Sequence, residues 1–160
     1  MIRHAFAAAS LIALAACAPE TAPSATTPDA ATNIAGPVLS YTDAFVMAPL
    51  AGRNMTMGGI NLSVAGGDVR LTGASSPAFG AIELHTMEMT DGRMQMRQAD
   101  GFDIADGDTL ALKRGGAHMM IFDPQIAIAP GDTVDLTLTF DANGVPLTLV
   151  VEAEVRAVGE

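Results

Sequence analysis

The sequence predicts an all-β fold, a sandwich or Greek-key barrel of about eight or nine strands. Three observations point there. No stretch carries the 3.6-residue apolar period of an amphipathic helix. Short runs instead alternate apolar and polar residues, and Gly, Pro, Asn and Asp separate them. Two of those separators, Asp91-Gly92 and Asn143-Gly144, are strong signals for two-residue type I′ hairpin turns.

In chain order the strands are expected near residues 40–48, 54–64, 68–74, 80–90, 93–99, 108–113, 116–122, 133–141 and 145–156. Short strands at this spacing suit a sandwich or barrel. The final hairpin reads most clearly. A two-residue loop at Asn143-Gly144 pairs Phe140 with Leu147, Leu138 with Leu149 and Leu136 with Val151, one apolar face. Asp135, Thr137, Thr139, Thr148 and Glu152 point the other way, so this hairpin is scaffold.

Both composition and the chain's beginning restrict the function. The 160 residues carry 18 acidic and 8 basic side chains, a formal charge of −10. Nucleic-acid binding and electrostatic docking on anionic lipid both reward basic patches, so neither is expected. The opening "MIRHAFAAASLIALAAC" has a basic start at Arg3, an apolar stretch and small residues before Cys17. It reads as a secretory signal, too short to span a membrane. Leu14-Ala15-Ala16-Cys17 resembles the lipobox of bacterial lipoproteins, in which the signal is cut before a Cys that carries the lipid. The alternative is a plain signal-peptidase site. Three segments follow: a signal peptide over 1–16, a lipidated Cys17 with an Ala/Thr/Pro-rich tether to 36, and one domain over 37–160. Localisation is expected in the periplasm, with a lipid anchor as the only membrane attachment.

The chemistry sits in a second hairpin, "ELHTMEMTDGRMQMRQA". The Asp91-Gly92 turn sets Met89 opposite Met94 and Met87 opposite Met96, with His85 diagonal to Met96. Alternation gathers His85, Met87, Met89, Met94 and Met96 on one face. In "GGAHMMIF", His118 and Met120 share a face and Met119 takes the other, toward the core. A Met stripe on a strand is ordinarily packing. Here six of the ten Met and both His beyond the opening segment fall within residues 85–120, which favours a site. Thioethers are soft, neutral ligands suited to Cu(I), and imidazole suits copper generally. Ca²⁺ and Mg²⁺ want oxygen ligands, and structural zinc favours Cys and His. Cys17 is the chain's single Cys, so the domain has no thiolate for a blue-copper centre.

His85, ten residues, Met96, twenty-one residues, His118, one residue, Met120 is the H-x10-M-x21-H-x-M spacing. With its flanks "LTGASSPAFGAIELHTMEMTDGRMQMR", "LKRGGAHMMIF" and "GDTVDLTLTF", the chain resembles the PCu(A)C family of periplasmic copper chaperones over roughly residues 38–155. The resemblance implies a cupredoxin-like β-sandwich, a monomer, and an exposed Cu(I) site of His85, Met96, His118 and Met120. It also implies delivery of copper for the CuA centre of cytochrome c oxidase, to an oxidase subunit or a thiol-containing assembly factor. Met87, Met89, Met94 and Met119 are expected in the surrounding collar or core, with Met87, beside His85 and Met96, as the possible auxiliary ligand. Met55 and Met57, outside the family's pattern, are expected to pack, with an auxiliary weak copper surface as the alternative. "VEAEVRAVGE" lacks His and Met, so a tail-borne second site is not expected. Copper storage and tolerance, or a metal-independent structural lipoprotein, are the competing readings. No Ser/His/acid arrangement stands out, and no enzymatic activity is expected.

Overall fold

The computed structural model describes residues 36–158. The expected signal peptide, Cys17 and all of the tether but Gly36 lie outside them. Ten strands form the described part: β1 Val38–Met47, β2 Met55–Ala65, β3 Val69–Ser75, β4 Phe79–Thr90, β5 Arg93–Gln98, β6 Phe102–Ile104, β7 Thr109–Leu112, β8 His118–Pro124, β9 Thr133–Ala142 and β10 Val145–Arg156. The all-β class is as expected; the count of eight or nine is corrected to ten. The added strand is β6, whose three residues after Gly101 are too short to show a period.

The strands run β5-β4-β8-β2-β1-β10-β9-β3-β6, with β7 on the far part of β2. The path has two free ends, β5 and β6, so among the described residues the sheet is not a closed barrel. It is a sandwich: β3 also packs against β4, and β6 against β7. Between these layers lies an aliphatic core that includes Val46, Ile60, Leu62, Leu71, Met119, Ile121, Leu136, Leu138 and Phe140. The long stretch of β9 and β10 pairs in the expected register, with Phe140 opposite Leu147 and Leu136 opposite Val151.

Turn chemistry fixes both hairpins. Asp91 and Gly92 have φ of 51° and 73°, and Asn143 and Gly144 have 55° and 88°. Two successive left-handed residues are what a type I′ turn requires, and its twist matches that of the flanking strands. Near the site, Gly59 is needed for another reason. It pairs with Phe45, whose ring carbons would lie 2.7 Å from any Cβ placed there. Only a bare backbone lets that ring lie across β2.

Candidate metal centre

Strand alternation divides the β5-β4-β8-β2 layer into two faces. Ile82 and Leu84 on β4, Met119 and Ile121 on β8 and Ile60 on β2 turn inward, and Leu84, Met119, Ile121 and Ile60 are buried. His85 and Met87 on β4, His118 and Met120 on β8, and Met96 on β5 occupy the outer face. The site is therefore built on the outside of the sandwich, backed by a packed core.

Register decides which donors meet. On the Asp91-Gly92 hairpin Met87 stands opposite Met96 and Met89 opposite Met94, as expected. Antiparallel pairing of β4 with β8 sets His85 directly opposite His118 and Glu83 opposite Met120. The two imidazole centroids are 5.9 Å apart with their planes tilted by 44°. A cavity of about 210 Å³ is lined by Met57, Met87, Met96, Arg114, His118 and Met120, with Gly115 at its margin. Three of the four expected ligands border it, and the fourth, His85, lies against His118. Four thioethers and an imidazole therefore converge on one hollow.

The hydrogen bonds assign both tautomers. His118 Nδ1 lies 2.8 Å from the carbonyl oxygen of Gly116. A carbonyl only accepts, so Nδ1–H donates and the lone pair is left on Nε2. His85 Nε2 lies 2.8 Å from Glu83 Oε2. A carboxylate oxygen accepts in the same way, so Nε2–H donates and the His85 lone pair is on Nδ1. That Nδ1 is buried and has no hydrogen-bond partner. A buried acceptor without a partner is costly in an apo fold and is useful as a ligand atom. Each ring thus has one nitrogen anchored by the protein and one free for a metal, the arrangement in which outer partners orient ligating imidazoles.

The local backbone explains the anchor on His118. Between β7 and β8 the chain reverses at "KRGG", with Lys113 N–H donating to Ala117 O at 2.6 Å. Gly115 sits at φ 81°, a left-handed conformation that a side chain would strain. This reversal delivers the Gly116 carbonyl to the imidazole two residues on.

Exposure grades the donors. His118 is 4% exposed, while Met96, on the edge strand β5, is 48% exposed. Met89 and Met94 are more open still, forming an outer rim rather than core. Met119 is fully buried, as expected. Of the two expectations for Met57, the structure favours a place on the site: it lines the cavity, because β2 pairs it directly with Met120. Met55 is 42% exposed and is likewise not core. Glu83 and Arg114 went unremarked in the sequence. Alternation alone would have put Glu83 on the His85 face, two residues away. Among the described residues no cluster of three or more His, Cys, Asp or Glu forms a conventional hard-metal site. The donors present are thioethers with imidazoles, a set that fits a soft, low-charge ion.

Residues 39–154 match the LpqE-like family of putative lipoproteins. A putative lipoprotein of Leifsonia xyli, Lxx21020, is 29% identical over 154 residues, covering 95% of this chain and 90% of that protein. The Cu(I) form of DR1885 from Deinococcus radiodurans aligns with a TM-score of 0.59 at 27% identity, over 77% of this chain and 79% of that one. A copper-bound PCuAC domain from PmoF2 gives a TM-score of 0.59 at 20% identity, over 74% of this chain and 92% of the domain, a likeness of fold. The chain belongs to the LpqE-like family, and its β-sandwich has the fold of PCuAC domains.

Proposed function

We propose that this protein is a Cu(I) carrier of the periplasm, held to a membrane through a lipid on Cys17. One ion is bound by His85 Nδ1, His118 Nε2 and the thioethers of Met96 and Met120. The observation that carries this reading is the outer-face cavity where Met96, Met120 and His118 converge, with the His85 ring 5.9 Å from that of His118 and its buried Nδ1 without a hydrogen-bond partner. Neutral soft donors favour Cu(I) over harder or more highly charged ions. The Cu(I)-bound state of DR1885, at 27% identity, supports the same cargo here.

The site is suited to handing its ion on. His85 and His118 stand on mutually paired strands, whereas Met96 stands on an edge strand whose residues are all exposed. An acceptor approaching from the β5 side meets Met96 first. Thiolates bind Cu(I) more strongly than thioethers, so an acceptor Cys can displace one thioether at a time. The acceptor we propose is the CuA-bearing subunit of cytochrome c oxidase or a thiol-containing factor that assembles it. The chain acts as a carrier and not as an enzyme, since four protein donors leave no position open for a substrate.

Competition for Cu(I) against a chromogenic chelator tests the site, on a Cys17→Ser background so that no thiol contributes. His118→Ala and Met96→Leu should each weaken binding; unchanged affinity in both removes the assignment. Loss of oxidase activity on deletion of the gene, restored by added copper, tests delivery.

A further inference from the structure

We propose a second position for a soft monovalent cation beside the first, built from thioethers alone. A neighbouring hollow of about 220 Å³ is lined by Met47, Met55, Met57 and Met120, with Leu50 and Val158 at its edges. It shares Met57, Met120 and Arg114 with the cavity described above.

The backbone explains why four sulfurs gather. Met57 on β2 is the direct partner of Met120 on β8. On the other side of β2, Val46 pairs with Gly58 in antiparallel register, so the next residue, Met47, stands beside Met57. Three methionines thus form a row across β1, β2 and β8, and Met55 follows Met57 on the same face. Neighbouring strands lie roughly 4.8 Å apart, within reach of side chains that bend toward one ion. The row begins at Met120, a ligand of the first position.

The chemistry narrows the ligand. Among the described residues no imidazole or carboxylate lines this hollow, which leaves Ca²⁺, Mg²⁺ and Zn²⁺ without their usual charged or nitrogen ligands there. Neutral thioethers suit Cu(I) and its analogue Ag(I). Methionine is also a common filler of cores. These side chains border open space, however: Met55 is 42% exposed, Met57 lines both hollows, and Met47, although buried, lines this one. Arg114 is an exposed cation beside both positions, so the second ion should bind more weakly than the first.

This inference deepens the reading above and rests on it for the first ion. The test is titration of the full chain, carrying Cys17→Ser, with Ag(I) as a redox-inert probe. Stoichiometry is read by native mass spectrometry, and the sites by methionine-methyl and histidine-ring NMR. The first equivalent should move the signals of His85, His118, Met96 and Met120. A second should then move the methyls of Met47, Met55 and Met57. The Met47→Leu/Met55→Leu variant keeps side-chain volume; neither residue lines the first cavity, so it should lose the second equivalent and keep the first. Saturation at one equivalent, or a second equivalent indifferent to that variant, overturns the proposal. A first equivalent that leaves both histidine rings unmoved overturns the carrier reading instead.

Discussion

Glu83 gives the sharpest test of how the site is prepared. Its carboxylate accepts a hydrogen bond from His85 Nε2–H at 2.8 Å, which holds the lone pair on the buried Nδ1. Replacing Glu83 with Ala frees Nε2 to carry either the proton or the metal, and the ring loses its orientation. A hydrogen bond to a charged partner is worth roughly 1.5–3 kcal/mol net. The Glu83 side chain is 38% exposed, so solvent screening brings the figure to about 1.4 kcal/mol or a little less. That corresponds to about a tenfold loss of Cu(I) affinity, at the low end of the roughly 10–100-fold cost of removing an outer partner of a metal ligand. Glu83→Gln keeps an amide oxygen that can accept the same N–H and should recover most of the loss. Two measurements decide it. Imidazole ¹⁵N shifts should show His85 of the apo wild type and of Glu83→Gln protonated on Nε2, with a mixture of tautomers in Glu83→Ala. Chelator competition should rank the three proteins in the same order. If Glu83→Ala retains both the tautomer and the affinity, the carboxylate does not orient the ring. If Glu83→Gln is as weak as Glu83→Ala, its charge matters and its geometry does not.

Further expectations concern pH, the turn and the core. Bound copper should be lost on acidification, because protons compete with the ion for the imidazole nitrogens that ligate it. The thioethers do not titrate, so Met96→Leu should lower affinity without changing the slope of that profile, measured by chelator competition across pH. Gly115→Ala places a side chain at φ 81° and should cost about 1 kcal/mol of stability in denaturant unfolding, with His118 ring shifts perturbed in the folded protein. Met119→Ala opens a cavity in a fully buried position and should cost roughly 2–5 kcal/mol by the same assay. Gly59→Ala, which crowds the Phe45 ring, should cost roughly 1–3 kcal/mol.

Local signals in the sequence carried the hairpins completely. Asp91-Gly92 and Asn143-Gly144 set two registers, because a two-residue turn leaves one pairing and alternation then assigns every face. Hence the outward set of His85, Met87 and Met96, and the inward Met119, were legible. The pairing of β4 with β8 was not. Those strands are far apart in sequence with no turn between them, so the opposition of His85 and His118 follows from tertiary assembly. The place of Met57 stayed open for the same reason. Nothing in "NMTMGG" tells that β2 lies beside β8, and only that pairing carries Met57 to Met120. Strand β6 escaped because three residues hold no period. The tautomers are a further kind of information, since they depend on a carbonyl from a glycine turn and on a carboxylate rotamer.

The central claim is that two imidazoles and two thioethers hold one Cu(I). Copper K-edge X-ray absorption on the Cys17→Ser protein, loaded with a single equivalent of Cu(I), addresses it most directly. The expected result is a mixed shell of nitrogen and sulfur with the outer-shell scattering of two imidazole rings, losing one ring in His118→Ala and one sulfur in Met96→Leu. A shell of sulfur alone, or one that neither substitution alters, contradicts it.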